Sequence, residues 1–402
     1  MRKLERWLVV GLGALIVLTV VLLVAGPLLE RRAGPTEESL ASGETETMPA
    51  RVLEVVEEGT VDLGGGSTQP YQRLLLRVES GSLAGQEVLV EEGMVNIIGQ
   101  QRLFHPGDRV YLARAVGPEG DRFYISDYVR TGPLFWIVVL FMGLVVLVGR
   151  GKGLRSLAGT LFSLAVIFAF VLPQIMAGRD PVGISIAGSI LLLAVSTYFV
   201  YGWTPKAHAA MAGMVVSLVL VGMLAWLFVG WARLSGLAAE ESGYLVMELG
   251  PGIDLRGLVL GGIIIGSLGV LDDICVGQAS AVFELVNANR DLGWVDLFRR
   301  SLNIGQDHIA AMVNTLLLAY VGVSMPLMLV FTMYQEPLWQ RLNREPIAEE
   351  IVRTLVGSVG LVLAVPATSL VASLLARWTV RREVTRGQRD TETREQGNGE
   401  IG

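Results

Sequence analysis

Long apolar stretches recur along the whole chain. A membrane-spanning helix needs about 20 mainly apolar residues, and about eight stretches approach or exceed this length. They are Trp7–Leu29, Pro133–Val148, Leu154–Met176, Val182–Trp203, Ala207–Trp231, Gly257–Leu285, Gly305–Met333 and Ile351–Ala376. The pattern predicts an α-helical polytopic membrane protein with about eight transmembrane helices. The first stretch is longer than a signal-peptide core of about 7–15 residues, which favours an uncleaved anchor at residues 1–29 over a cleavable signal.

A small β domain is predicted after this anchor. Residues 30–49 are rich in Gly, Ser, Thr and Glu and are typical of a linker. Short runs with strand character then follow within residues 50–132, separated by turn signals rich in Gly and Pro. They are Arg51–Val56, Tyr71–Val78, Glu87–Glu91, Arg109–Ala115 and Arg122–Val129. This pattern favours a small all-β, OB-like barrel. Because it lacks stacking aromatics in a basic groove, a docking or spacer role is favoured over oligomer binding.

The Lys and Arg residues of the short loops predict the orientation of the spans. Basic clusters precede the first span and follow the second, fourth, sixth and eighth. They are Arg2, Lys3 and Arg6; Arg150, Lys152 and Arg155; Lys206; Arg290, Arg299 and Arg300; and Arg377, Arg381, Arg382, Arg386 and Arg389. An even number of spans puts all clusters on one side, which predicts a multi-pass protein of the bacterial plasma membrane with both termini cytoplasmic. The helical membrane domain would cover residues 133–377, and the polar residues 378–402 predict a disordered cytoplasmic tail.

The sixth apolar stretch carries a stripe of small and acidic residues. The stripe keeps to one helix face at about 100° per residue. Its members are Gly266, Gly269, Asp273, Gly277, Ser280 and Glu284. The three glycines predict close helix packing, and Asp272 lies on an adjoining face. A carboxylate deep in the bilayer costs about 2.5–3.5 kcal/mol on insertion scales, so the Asp272–Asp273 pair predicts a proton- or cation-binding site.

A matching stripe of Asn303, Asp307, Ala310 and Asn314 lies on the seventh stretch. Its spacing predicts that the sixth and seventh spans pack face to face, with Asp273 and Asn314 at similar depth. The residues supporting a polar pathway from the cytoplasm would be Gln278, Ser280, Glu284, Asn303, Asp307, Asn314 and Thr315. The alternative is that these side chains only hold the helices together, with a neutral Asp273 bonded to Asn314. Between the two spans, Asn287–Leu302 predicts a short amphipathic helix on the cytoplasmic surface.

Composition narrows the classes of function. Hydrophobic residues make up 52% of the chain and charged residues 17%, whereas soluble domains carry about 25% charged residues. The sequence has no basic stripe interleaved with aromatic residues, so a nucleic-acid partner is not expected. The single cysteine, Cys275, excludes an intramolecular disulfide, and the three histidines lie in separate segments. Neither a metal site, a cofactor nor a hydrolytic enzyme is therefore expected.

The motifs around the acidic pair resemble the YibE/F family of bacterial multi-span membrane proteins. The resemblance rests on Gly266-Ser267-Leu268-Gly269-Val270-Leu271-Asp272-Asp273, on Gln278-Ala279-Ser280-Ala281, on Asn303-Ile304-Gly305-Gln306-Asp307 and on Asn314-Thr315-Leu316. It extends from about Leu134 to Ala376 and implies a helical membrane domain preceded by an anchor and a β domain. It implies no settled biochemical activity.

A weaker resemblance links the chain to proton-driven RND permeases and the SecD/SecF translocation factors. These begin with one span, an extracytoplasmic domain and then further spans, as here. Their Gly-x-x-x-Asp motif is similar to Gly269–Asp273, and Glu284 and Asn314-Thr315 are similar to their end acid and facing polar pair. This chain departs from them in having two extra spans and no second half.

Two hypotheses about function follow. The first is a proton- or cation-coupled membrane transporter or translocation-assisting protein, in which Asp272 and Asp273 bind the ion. The second is a non-transporting membrane scaffold that recruits envelope partners through its β domain. The expected partners are the lipid bilayer and either an extracytoplasmic protein or further copies of the chain.

Overall fold

The computed structural model describes residues 45–62, 68–93, 103–117, 120–250 and 252–399. The chain divides into two compact units at residue 153, and each unit has its own core. The predicted anchor Trp7–Leu29 and residues 30–44 of the predicted linker lie outside the described residues.

In the described part of the first unit, five strands form one curled antiparallel sheet in the order β3-β2-β1-β4-β5. Their bounds are β1 Thr45–Asp62, β2 Thr68–Val78, β3 Glu87–Glu92, β4 Arg109–Gly117 and β5 Gly120–Tyr128. The first part of β1 pairs with β4 and the rest with β2, and irregularities between Val52 and Glu57 bend it. The curl brings β3 to β5, where Glu92 accepts a 2.7 Å hydrogen bond from the Ile125 amide. The prediction of a small all-β unit is thus confirmed.

The start of this unit differs from the sequence-based boundary. β1 begins at Thr45, so residues 45–49 belong to the sheet and not to a linker. Alternate side chains point into the core, and Met48 is only 1% exposed. Composition concealed this strand because its outward residues, such as Thr45 and Thr47, are polar, while the buried Glu46 is satisfied by Ser82.

Helices make up the described residues that follow the sheet. α1 has a non-helical residue, Arg150, and continues through a π-helical stretch, Ile167–Val171, into α2. The helices are α1 Thr131–Val166, α2 Leu172–Met176, α3 Pro181–Tyr201, α4 Pro205–Trp231, α5 Glu240–Leu249, α6 Leu255–Ala288, α7 Trp294–Val323, α8 Met325–Met333, α9 Leu338–Leu342 and α10 Glu345–Gly399.

Within the described ranges, five helices are long and apolar enough to cross a membrane, or six if α7 and α8 are counted as one span. The membrane-protein class is therefore supported. The segment Thr131–Met176 is one of these five helices. It contains two of the predicted spans, Pro133–Val148 and Leu154–Met176, and the non-helical Arg150 lies between them. The predicted span Gly305–Met333 is not straight, because α7 and α8 meet at Ser324 with a bend of 61°.

The core of the second unit depends on close contact between α4, α6 and α10. Gly213 of α4 abuts Thr368 of α10, and a Cβ at Gly213 would collide with that side chain. The Thr368 hydroxyl also lies 3.1 Å from Sγ of Cys275 in α6. A second contact, between Gly360 and Val221, joins α10 and α4. Small residues thus let three helix backbones approach one another closely.

Two features near the ends of these elements differ from the sequence-based expectation. The surface helix expected at Asn287–Leu302 is not a separate element: Asn287 and Ala288 end α6, and residues 294–302 begin α7, with Leu297 and Ser301 buried. The tail expected to be disordered from residue 378 continues α10 as far as Gly399. Extending an existing helix avoids the unfavourable nucleation step, so a polar sequence can remain helical there.

The β unit is expected to fold by itself only when the whole of β1 is present. A fragment of residues 44–130 should melt cooperatively, whereas a fragment of residues 50–130 should not. The shorter fragment loses five of the seven residue pairs between β1 and β4, and it loses the burial of Met48, which alone contributes about 1.5–3 kcal/mol. Circular dichroism melting of both fragments provides the measurement, and equal melting temperatures would contradict the role of residues 45–49.

The β unit is also expected to lose stability in acid through Glu79. The guanidinium groups of Arg109 and Arg51 hydrogen-bond this carboxylate, at 3.0 and 3.1 Å, and hold its pKa below the ordinary 4.5. Because the folded pKa is the lower one, the stabilisation is complete above pH 4.5 and is lost as the pH falls through the folded pKa. Glu79→Gln should therefore flatten the fall in melting temperature in this acidic range. Glu58→Gln, at an exposed position, is the control and should leave the profile unchanged.

Candidate functional site

The acidic pair lies near the middle of α6, a helix of 34 residues. Asp254 caps the helix by accepting a 2.8 Å hydrogen bond from the Gly257 amide. The helix then buries the face that contains Leu271 and Cys275 against the core. This packing decides which way the neighbouring carboxylates point.

The two carboxylates have different surroundings. Asp272 is partly buried, and its Oδ1 is inaccessible and has no hydrogen-bond partner among the described residues. Tyr201, at the end of α3, lies within electrostatic reach of both carboxylates. Asp273 is exposed. The sequence had favoured Asp273 as the enclosed acid, but the contacts of α6 with α4 and α10 turn Asp272 inward instead.

The predicted stripe of α6 is on the exposed side of the helix. Five members of the stripe are exposed and share one face of the helix. They are Gly266, Gly269, Asp273, Gly277 and Glu284. A Cβ at Gly269 or Gly277 would have no neighbour within 4 Å, and one at Gly266 would lie 3.8 Å from the Tyr320 hydroxyl. Within the part of the chain that the structure describes, Gly269 and Gly277 therefore pack against no other helix. The half-buried Ser280 donates its hydroxyl to the Val276 carbonyl at 2.7 Å.

The stripe of α7 is also exposed. Asn303, Asp307, Ala310, Asn314 and Thr315 all lie on exposed parts of that helix. The Thr315 hydroxyl donates only to the Ala311 carbonyl of its own helix, at 3.0 Å. The predicted face-to-face packing of the two stripes within one chain is thus wrong.

Instead, α7 uses a different face to contact the core. Leu297, Ser301 and Gly305 are its buried residues, and Gly305 lies against Val365 of α10 and Gln278 of α6. At Gly305 a small residue is required, because a Cβ there would collide with the Val365 side chain.

Gln278 joins three helices. It is 5% exposed, and its Nε2 donates to the Ser301 carbonyl of α7 at 2.5 Å and to the Ser369 hydroxyl of α10 at 2.7 Å. Sequence reasoning had assigned it to the polar pathway, but its Nε2 group holds α6, α7 and α10 together.

The Gln278–Gly305 contact also sets the relative depth of the two helices. At about 1.5 Å per residue, Asp273 and Ala310 each lie five residues from this contact and are level with each other. Asn314 lies about one turn farther along, level with Gly269. The sequence-based match of Asp273 with Asn314 was wrong because it used Leu285 and Gly305 as helix ends, whereas α7 begins at Trp294.

Comparison with known families covers this helical region. The model of the YibE/F-like protein family matches the chain from residue 137 to residue 378. The chain belongs to the YibE/F family. The match includes α6 and α7 with both stripes and leaves out the β unit. No curated protein and no solved structure matches the chain.

In this YibE/F protein, sequence reasoning missed a polar and aromatic cluster near the acidic pair. The Tyr198 hydroxyl and Nδ1 of His208 are 2.9 Å apart, across the turn between α3 and α4. The ring of Trp203 stacks on Tyr198 with centroids 4.5 Å apart. The available signal was the short Gly202-Trp203-Thr204 turn, which brings the ends of the two apolar helices together.

A second missed feature of the YibE/F region is a cavity of about 170 Å³ beside the α7–α8 bend. Its lining is mainly apolar and includes Tyr320, Ser324 and Glu350. Arg353, one turn from this lining, pairs with Glu349 at 2.6 Å and with Glu350 at 3.4 Å. Within the described residues, no three His, Cys, Asp or Glu side chains come together as a metal site would require.

Gln278→Ala is expected to destabilise the helical unit by about 1–3 kcal/mol, because it removes the two buried hydrogen bonds that join α6 to α7 and α10. Thermal melting of the purified protein in detergent measures this loss. Ser280→Ala serves as the matched control, since its hydroxyl bonds only within α6. A Gln278→Ala protein that melts with the wild type would contradict the assigned role of this residue.

Proposed function

We propose that the protein is a proton- or cation-coupled membrane transporter or translocation-assisting protein, with its ion site at Asp272 and Asp273. The single observation that carries this proposal is the buried Oδ1 of Asp272, which has no hydrogen-bond partner in the described part of the chain. An unpaired carboxylate oxygen in a membrane helix is costly unless it binds a proton or a cation. Asp273, next to it in sequence, makes joint ionisation of the pair less favourable.

Polar groups along the exposed faces would connect this site to the cytoplasm. Asp273 and Glu284 lie on the same face of α6, about 16 Å apart along the helix axis. On α7, the exposed Asn303, Asp307, and Asn314 with its neighbour Thr315 continue the row. We assign these residues to the ion pathway and leave Gln278 to its packing role.

The topology we propose has about eight spans in a bacterial plasma membrane, with both termini cytoplasmic. The Lys and Arg clusters of the short loops support this orientation. We also propose that the β unit is OB-like and extracytoplasmic. The strand order β3-β2-β1-β4-β5, with β3 reaching β5, supports that connectivity.

A scaffold is the second candidate, and the surface of the β unit favours it. Val56, Leu89 and Tyr124 expose apolar side chains on three of its strands. Such side chains suit the recruitment of a protein partner from the cell envelope. A scaffold of this kind has no need for an ionisable pair in α6, which makes the two candidates separable.

Flux through proteoliposomes tests the proposal. The purified protein should carry protons or alkali cations down an imposed gradient, read with a pH-sensitive dye or a cation-sensitive dye. Asp272→Asn should reduce this flux to that of protein-free liposomes, because the amide keeps the size of the side chain but cannot release a proton. Asp273→Asn should retain part of the flux, since the partly buried acid remains.

The matched control is Asp296→Asn, at an exposed position in the first turn of α7. It should carry ions as the wild type does. If the wild type carries neither protons nor cations, or if Asp272→Asn carries them normally, the transporter proposal fails and the scaffold is favoured.

A further inference from the structure

The exposed faces of α6 and α7 hold polar side chains that a lipid environment cannot satisfy. No side-chain hydrogen bond or ion pair joins Asp273, Glu284, Asn303, Asp307 or Asn314 to another described residue. α6 is long and apolar enough to cross a membrane, and α7 meets the same criterion only together with α8, as one bent span. Hydrocarbon offers no partner to carboxylates or amides, so we expect a protein surface outside the described residues to cover these faces.

The two faces match each other in depth. Each residue rises about 1.5 Å along a helix. Because α6 and α7 run in opposite directions, residues that lie equally many positions before Gln278 and after Gly305, or the reverse, lie at the same depth. These pairs are Gly269 with Asn314, Asp273 with Ala310, Ser280 with Asn303, and Glu284 with Arg299. The contact between Gly266 and Tyr320 shows that the register drifts by less than one turn over this length.

The matched levels are complementary in chemistry as well as in size. Glu284 faces the level of Arg299, and both are exposed and carry opposite charges. Ser280 and Asn303 both form hydrogen bonds. Gly269 and Gly277 provide the low surface that lets another helix approach. Within one chain the paired residues lie at the same depth but do not contact each other, because α7 packs on the core through Leu297, Ser301 and Gly305 instead of its polar face.

We propose that the polar faces of α6 and α7 form the interface of a homodimer, in which α6 of one copy packs against α7 of the other. A two-fold axis along the membrane normal leaves every residue at its own depth. The level matches therefore hold between copies. The same axis forms each contact twice, so both polar faces of both copies are covered at once.

Other segments of the chain suit these faces less well. The predicted anchor Trp7–Leu29 and the stretch Pro133–Val148 contain no charged and no amide side chain. Either segment would cover the glycines but leave the carboxylates and amides unpaired. In contrast to these two segments, α7 of a second copy brings an arginine and two asparagines to the required levels.

The dimer goes beyond the proposed function and does not depend on ion transport. It would enclose Asp273, which is exposed in one chain, beside the partly buried Asp272. The polar face of α7 from the other copy would then lie beside the Asp272–Asp273 pair. A dimer that carries no ion would refute the transporter and leave this interface intact.

Leucine substitutions at open glycine positions test the interface. Gly277→Leu fills space that has no neighbour within 4 Å in one chain, so the chain should fold and melt as the wild type does. It should block the second copy and raise the dimer dissociation constant at least about tenfold. Gly222→Leu is the matched control on α4, where the space is equally open. Mass photometry of the protein in nanodiscs reads the dimer fraction.

The expected result is a dimeric wild type, a dimeric Gly222→Leu protein and a largely monomeric Gly277→Leu protein. A monomeric wild type would overturn the proposal. So would a Gly277→Leu protein as dimeric as the wild type, since the interface must then lie elsewhere.

Crosslinking between differently tagged copies gives an independent measurement in the Cys275→Ser background. One copy carries Ser280→Cys and the other Asn303→Cys, and a disulfide between them is expected. The control replaces Ser280→Cys by Val216→Cys, which is exposed on α4 near the level of Gly213. This pair should not crosslink.

Crosslinking also tests whether the N-terminal segment of the same chain, and not a second copy, covers the polar face of α6. In a single chain that carries Thr19→Cys and Gly277→Cys, a disulfide within the chain, without any bond between copies, would assign the face to the N-terminal segment. That result would overturn the dimer.

Discussion

Close packing of α4, α6 and α10 through small residues is the constraint on which the helical unit depends. Gly213, Thr368 and Cys275 meet at one point of this core, where a side chain larger than Gly at position 213 would have no room. Because the hydrophobic effect does not drive helices together in lipid, such close contacts carry much of the association. The face of α6 that meets α4 and α10 is therefore fixed, and so is the face that remains outside.

This orientation gives the two neighbouring acids different roles. Asp272 points partly into the unit, where one oxygen has no partner among the described residues, and Asp273 points away from it. Gln278, five residues after Asp273, is buried on the core side and ties α7 to α6 and α10. On α6, the polar residue Gln278 thus has a structural role on one face, whereas Asp273 and Glu284 on another face have no side-chain partner among the described residues. The ion-binding hypothesis and the dimer both follow from this division.

The β unit obeys a separate constraint, which is the continuity of β1. This strand of 18 residues pairs with β4 at one end and with β2 at the other, so it links the two halves of the sheet. Its irregularities near Val52 and Val55 let the sheet curl until Glu92 reaches Ile125. Removal of its first residues would therefore open the sheet and expose the core around Met48.

The apolar lengths of the helices, the alternation of the strands and the family motifs were readable from the sequence, because each depends on residues close together in the chain. The acidic pair was found in the same way. The inward turn of Asp272, the packing role of Gln278 and the outward direction of both stripes were decided only by tertiary structure. A helical period shows which residues share a face, but it does not show which face meets a neighbour. That choice depends on contacts such as Gly305 with Val365, between residues 60 positions apart, and on the space that their side chains leave.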